Sequence, residues 1–370
     1  MRIVVTGANG FIGLNLGVRL SEAGFADVVR VTRETTAGEL AAAVATCDFV
    51  VHLAGANRPA DVADFARVNV GATIALRDAL LATGRPIPVI YASSTQAVLD
   101  NPYGESKREA EQVLAEYAAQ SGASVGVMRL TNVFGKWARP NYNSAVATFC
   151  NNVARGLAIT IDDPSAPLRL VYIDDVVEAM IARLTSAPAG FAMVEVQPVY
   201  ETTVGEVASA VQSFAASRQL LTIPRVGAGL TRALYATYMS YLTPAEFSYD
   251  LASHADPRGV FVEMLKTLDS GQFSYFTAGP GVTRGGHYHH TKTEKFLVVR
   301  GSARFAFRHL LSGETREVVT QGDTPKVVET VPGWVHDITN VGVDDMIVLL
   351  WANERFDPAR PDTIAAKVGS

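Results

Sequence analysis

The chain has 370 residues, 48% hydrophobic and 19% charged, and its 32 basic against 37 acidic side chains leave a net charge of −5. That composition excludes a disordered chain, and the length suits two domains. No basic block marks a nucleic-acid face, two cysteines (Cys47 and Cys150) cannot staple a disulfide scaffold, and the most apolar stretch, residues 41–56, is broken by Asp48 and His52 and too short to span a bilayer. The chain starts on a strand pattern rather than a basic leader, so the expectation is a soluble cytoplasmic protein with neither a membrane nor a nucleic-acid partner.

The first 180 residues alternate short β-branched runs with longer helical patterns. Strands are expected over 2–6, 28–32, 49–53, 89–93 and 125–130, and helices over 11–23, 61–83 and 106–120. This is the pattern of βαβ units, hence an α/β doubly wound parallel sheet with helices on both faces. After Arg169 the alternation loosens but stays mixed to about Leu242. Pro244, Pro257 and the polar residues between them read as a linker over 246–258. From 259 to 370 the strands are short and punctuated by glycine and proline: 273–277, 295–299, 303–307, 315–320, 326–331 and 346–351. Such spacing predicts a closed or double-sheet β domain. The chain therefore divides into residues 1–245, a linker, and 259–370.

Gly7-Ala-Asn9-Gly10-Phe11-Ile12-Gly13 follows the first strand and opens the first helix. Glycines there make a tight turn, let backbone N–H groups approach a pyrophosphate and permit close helix–strand packing, while the helix N-terminus adds partial positive charge. Arg33, at the end of the second strand, offers a guanidinium where an acidic residue would select a free ribose hydroxyl, which favours NADP over NAD. His52-Leu53-Ala54-Gly55 closes the third strand. Tyr103 and Lys107 stand one helical turn apart, downstream of Ser93-Ser94-Thr95. A phenol is a poor acid or base near neutrality, and a neighbouring cation is expected to lower its pKa. A serine hydroxyl then holds the substrate oxygen while tyrosine exchanges its proton.

In this order the motifs resemble the short-chain dehydrogenase/reductase superfamily, in its extended, nucleotide-sugar-modifying branch, over residues 1–245. The resemblance implies a Rossmann-type domain with Tyr103 as acid/base, Lys107 as its activator and Ser94 as the hydroxyl partner. Val68-Asn69-Val70-Gly71 matches the helix segment that props the catalytic region, and Asn69, Tyr103 and Lys107 join the glycine turn, Arg33 and Leu53–Gly55 as cofactor contacts. Thr95, Arg139, Asn141 and Asn143 are expected to contact substrate, because loops at the carboxyl ends of strands are where α/β folds bind ligands.

In the last third, Gly281-x5-His287-Tyr288-His289-x4-Glu294-x6-Gly301 and Pro332-Gly333-Trp334-Val335-His336 gather imidazoles and a carboxylate. Residues two apart on a strand face one side, so His287 and His289 converge, with Glu294 and His336 completing a set suited to zinc, nickel, iron or manganese. His290 is expected to point away. The two stretches resemble the paired motifs of the cupin superfamily, a small β-barrel.

Taken together, the loop from Arg129 to Ser144, Val171–Val176 and Gly286–Phe296 resemble the bifunctional capsular polysaccharide assembling enzymes of UDP-N-acetyl-L-fucosamine biosynthesis, along the whole chain. That resemblance implies a UDP-linked 4-keto-6-deoxy amino sugar as substrate, epimerised at C3 in the cupin and reduced at C4 with NADPH. It also implies zinc as the metal and a homodimer. Lys292 and Tyr288 are the candidate proton carriers, and the metal is either catalytic or structural. The competing reading is a 4-ketoreductase whose cupin does no chemistry.

Overall fold

The computed structural model describes residues 1–59, 61–186 and 190–369, and two compact units divide the chain. Residues 1–212 and 229–242 form the first; 213–228 and 243–370 form the second. The strand patterning of residues 1–130 is realised closely. β1 (Arg2–Thr6), β2 (Asp27–Val31), β3 (Phe49–His52), β4 (Val89–Ser94) and β5 (Val125–Leu130) lie within a residue or so of their expected spans. β6 (Asn132–Phe134), β7 (Pro167–Tyr172), β8 (Phe191–Met193) and β9 (Val199–Thr203) follow.

A six-stranded parallel sheet runs in the order β2-β1-β3-β4-β5-β8, and β6, β7 and β9 make a separate small sheet. Strands β3 and β4 are buried at every residue, as a sheet covered on both faces requires. Leu76 and Leu80 of the helix Gly71–Ala82 and Leu114 and Tyr117 of the helix Pro102–Ser121 close one face over Val50, Val89 and Val127. The chain leaves β1 in one direction for β2 and returns to its other side for β3, so the sheet's switch point lies at the carboxyl ends of β1 and β3. Both expected cofactor loops begin there.

Two helices differ from expectation. The segment read as one helix over 61–83 is α-helical at Ala63–Phe65, opens into a π turn at Ala66–Val70, and resumes at Gly71–Ala82. The helix expected from residue 106 begins four residues earlier, at Pro102, because Asn101 caps it: the Gly104 N–H donates to Asn101 Oδ1 at 2.8 Å.

The second unit is two sheets. β10 (Thr222–Ile223), β11 (Ser253–Asp256), β12 (Gly259–Thr267), β13 (Gln272–Ala278), β14 (Thr283–Tyr288), β15 (Glu294–Arg300) and β16 (Ser302–His309) are followed by β17 (Thr315–Gln321), β18 (Val327–Glu329), β19 (Trp334–Asn340), β20 (Met346–Ala352) and β21 (Ile364–Ala365). One sheet is ordered β10-β12-β13-β20-β15-β18 with β11 on β12, the other β17-β16-β19-β14-β21. β13 and β20 alternate buried and half-buried residues along their length. Phe276, Phe296, Val298 and Val348 of the first sheet thereby meet Phe305, Phe307 and Ile338 of the second in one core. Within the stretch expected to be a linker, β11 pairs antiparallel with β12. Cys47 and Cys150 are free and buried.

Candidate functional site

The glycine turn is dictated by contact as well as by conformation. Gly7 has φ +67°, and a Cβ on it would lie 2.7 Å from Leu53 C and Ala54 N, so the β1 and β3 loops touch backbone to backbone. A Cβ on Gly13 would lie 2.5 Å from Gly7 O. The following helix, Phe11–Glu22, is capped at Gly10 by no side chain and has no acidic residue in its first turn, which leaves its N-terminal N–H groups and partial positive charge for an anion.

Beneath the loop, the Thr6 hydroxyl accepts from Leu53 N and Ala54 N, each at 3.2 Å, and meets His52 Nδ1 at 2.7 Å. The other ring nitrogen, Nε2, faces the Thr73 hydroxyl at 3.0 Å, and that hydroxyl is itself spent on Asn69 O at 2.7 Å. Thr73 therefore accepts from Nε2–H, and Thr6 donates to Nδ1. Burial, then the Lys107 cation, push the His52 pKa down to about 3, so the ring is neutral and serves as a structural post under the loop.

A cleft of about 690 Å³ opens above the switch point. Gly7, Asn9, Gly10, Phe11, Ile12 and Gly13 line it, with Arg33, Leu53 and Gly55. So do Ser94, Thr95, Tyr103, Lys107, Arg139 and Asn143. Three expected contacts stand outside it. Ala54 is turned onto Gly7. Asn141 sits in left-handed backbone (φ 54°) with its N–H on the Thr148 hydroxyl, which shapes the loop. Asn69 is 1% exposed and fully engaged: Oδ1 accepts from Ala56 N at 2.7 Å, and Nδ2 donates to Ala56 O at 3.1 Å and Ser106 Oγ at 2.9 Å. The Ser106 hydroxyl donates onward to Tyr103 O at 2.8 Å. Asn69, in the π turn, thus ties the β3 loop to the Tyr103 helix from behind the cleft wall.

Ser94, Tyr103 and Lys107 come together at the carboxyl end of β4. Gly104 makes this possible, since a Cβ there would lie 2.2 Å from Gln96 O and 2.6 Å from Leu99 O. The Tyr103 helix is clamped onto the short turn that Ser94 begins, where Ser94 Oγ accepts from Gln96 N at 3.1 Å. Lys107 is buried, donates to Ala92 O at 3.0 Å and lies 4.9 Å from the Tyr91 ring centroid. Burial depresses its pKa to about 8, against a smaller upward pull from Glu111. Tyr103 departs from expectation. Burial raises its pKa, and the Ser94 hydrogen bond draws it partly back.

Sequence reading also missed a buried group behind these residues: Glu111 accepts Nε and Nη2 of Arg129 at 3.0 and 2.6 Å and a hydrogen bond from Ser93 Oγ at 2.5 Å. Its signal was present in the four-residue step from Lys107 to Glu111 on one helix face. Tyr142 is a further cleft residue, under the Arg139 guanidinium at 5.2 Å.

In the second unit, His287, His289, Glu294 and His336 offer donor atoms that all lie within 4.8 Å of one another, and the last three residues are buried. His289 lies one residue beyond the end of β14, yet its ring is 4.9 Å from that of His287. Burial pushes the Glu294 pKa up, but the facing His289 and His336 and the nearby Lys292 outweigh this and hold it well below the carboxylate range. Burial, then His336, push the His287 pKa down to about 4.

The donor chemistry fits a divalent metal. His336 Nδ1 faces Trp334 O at 3.4 Å, while its buried Nε2 has no hydrogen-bond partner and stands 3.5 Å from Glu294 Oε2. Three imidazoles and one carboxylate converge, a donor set that suits a divalent cation. Lys292 is buried with Nζ 3.6 Å from Glu294 Oε1. Tyr288 packs edge-on against His290, which is exposed as expected.

Among the described residues, no helix is long and apolar enough to cross a membrane. Residues 3–194 match the NAD dependent epimerase/dehydratase family, and residues 254–364 match the polysaccharide biosynthesis C-terminal domain. A Pseudomonas aeruginosa UDP-2-acetamido-2,6-beta-L-arabino-hexul-4-ose reductase is 55% identical over 369 residues, covering 100% of this chain and 99% of its own length. The crystal structure of the capsular polysaccharide assembling protein CapF from Staphylococcus aureus aligns with a TM-score of 0.92 at 42% identity, covering 100% of both chains. The Thermus thermophilus UDP-glucose 4-epimerase in complex with NAD shares the fold, with a TM-score of 0.55 at 21% identity over 65% of this chain and 99% of that one.

Proposed function

Since the chain belongs to the NAD dependent epimerase/dehydratase family and is similar along its whole length to a UDP-hexulose reductase, we propose that it is a UDP-sugar 4-ketoreductase serving capsular polysaccharide assembly. The substrate in this reading is a UDP-2-acetamido-2,6-dideoxy-4-hexulose. Its C3 centre is inverted in the cupin, and its C4 ketone is then reduced with NADPH to UDP-N-acetyl-6-deoxy-L-talosamine. The observation that carries it is the meeting of Ser94, Tyr103 and Lys107 with the glycine turn in one cleft at the sheet's switch point.

The residues suit the reductive direction. Ser94 Oγ accepts from Gln96 N and is hydrogen-bonded to Tyr103, so the two hydroxyls stand together to receive a substrate oxygen. Ketone reduction requires an acid, and burial keeps Tyr103 protonated. Tyr103 gives its proton to the oxygen that becomes the alcohol, and Lys107, charged at neutral pH, steadies the resulting phenolate. A nicotinamide bound along Gly7–Gly13 and Gly55 would supply the hydride, with Arg33 available for a 2′-phosphate. A zinc ion held by His287, His289, Glu294 and His336 would supply Lewis acidity to a neighbouring oxygen.

The order of steps follows from chemistry. The C3 hydrogen is acidic only while C4 is a ketone, because its removal leaves an enolate, so inversion precedes reduction. The test is NMR product analysis of the full-length enzyme with the UDP-4-hexulose in D2O, with and without NADPH. Deuterium at C3 without NADPH, and the reduced sugar with it, are the expected results. No exchange by zinc-loaded protein overturns the epimerase half, and no consumption of NADPH overturns the whole. Tyr103→Phe should abolish NADPH oxidation yet still bind the cofactor; unchanged turnover refutes the assigned role.

A further inference from the structure

The end of the chain returns to the four-donor cluster. β21 pairs with β14, setting Ala365 opposite His287 and Ile364 opposite Tyr288. Beyond it, Ala366 N donates to Gly286 O at 3.0 Å, and Arg308 donates to the carbonyls of Lys367 and Val368 at 2.9 and 3.0 Å. At the head of this strap stands Asp362, in left-handed backbone with φ 35°.

Both ends of Asp362 face the metal-site turn. Its carboxylate accepts from His290 N at 2.9 Å, from Thr291 N and Lys292 N at 2.8 Å each, and from the Thr291 hydroxyl at 3.1 Å. The turn joining His289 to Glu294 is thus wound around one side chain. Its backbone carbonyl meets His289 Nδ1 at 2.5 Å. A carbonyl can only accept, so Nδ1 carries the proton, and Nε2, 3.3 Å from Glu294 Oε2, presents its lone pair to the cluster.

We infer that Asp362 is a positioning residue of the metal centre: its carboxylate winds the 290–292 turn and its carbonyl fixes the His289 tautomer, so the C-terminal strap completes the site. This rests on reading the cluster as a metal site. Outer partners of a metal-bound imidazole typically contribute about 10- to 100-fold in metal affinity.

The test is zinc affinity of the full-length Asp362→Ala and Asp362→Asn proteins, by competition with a chromophoric chelator. Cobalt(II) absorption reports ligand geometry, and thermal unfolding of the metal-free forms is the control. Asp362→Ala should bind zinc about 10- to 100-fold more weakly with an altered cobalt spectrum, and Asp362→Asn, which retains one acceptor oxygen, should lose less. Should Asp362→Ala fail to fold, the Asn protein carries the comparison. Wild-type affinity and spectrum in the variants overturn the inference, whereas a wild-type protein that binds no zinc overturns the metal reading beneath it.

Discussion

Lys107 carries a measurable conflict between activity and stability. Its ammonium is buried, and a native pKa of about 8 against an ordinary value of 10.5 corresponds to about 3 kcal/mol at ~1.36 kcal/mol per unit. Below both values the lysine is charged in the folded and unfolded chains, so the folded protein bears that whole cost. Between them the unfolded chain holds a proton that the folded one has released, and stability rises with pH. From about pH 7 to about pH 9.5 the two-pKa relation gives a rise of about 2 kcal/mol from this group alone. Lys107→Met lacks that rise, so urea unfolding of the two full-length proteins at both pH values should show wild type gaining about 2 kcal/mol on the variant. At neutral pH the variant escapes the cost of burying the charge but leaves Ala92 O unpaired, at about 1–3 kcal/mol, so it should be as stable as wild type or slightly more so, and inactive. Wild-type kcat should fall as pH climbs through about 8. A stability difference that does not change with pH would refute the reasoning.

Gly104→Ala places a Cβ against the Gln96 and Leu99 carbonyls, which as backbone cannot yield; the strain of about 1–3 kcal/mol should push Tyr103 off Ser94. Steady-state kinetics should show kcat falling at least about 10-fold with the NADPH KM little changed, and an unaltered kcat would remove the clamp from the account. Arg33→Ala should raise the NADPH KM about 10- to 100-fold, the worth of a lost charge-assisted contact, and leave NADH unaffected. Equal losses with both coenzymes would refute the 2′-phosphate role.

What could be read from the sequence is what local geometry dictates. The parallel sheet showed itself in β-branched runs, the cofactor turn in glycines that a Cβ would displace, and the cupin cluster in donors that a strand and a short turn bring together. The true start of the Tyr103 helix was equally legible, since Asn101-Pro102 is a cap followed by a first-turn proline. Other features depend on pairings with no local signature. Residues 213–228 cluster with the second unit, where two-residue β10 runs parallel to β12. Asp362 reaches a turn some 70 residues earlier through backbone groups that any sequence would offer. The Tyr103 pKa was misjudged for a related reason: charge on a neighbour is visible in sequence, whereas depth of burial is set by packing from the whole fold.

That correction bears on direction. An acidified phenol would suit oxidation, in which tyrosine must take a proton; a phenol kept protonated by burial suits the delivery of one to a ketone. In the proposed scheme this matters to the other unit as well. An epimerase runs both ways, and a C3 centre beside a ketone stays labile for as long as the ketone survives. Reduction at C4 removes the acidity of the C3 hydrogen and thereby makes the configuration permanent. Stereochemical outcome is then decided less by the cupin, which only equilibrates the two epimers, than by which of them the Ser94–Tyr103 pair can protonate while hydride arrives.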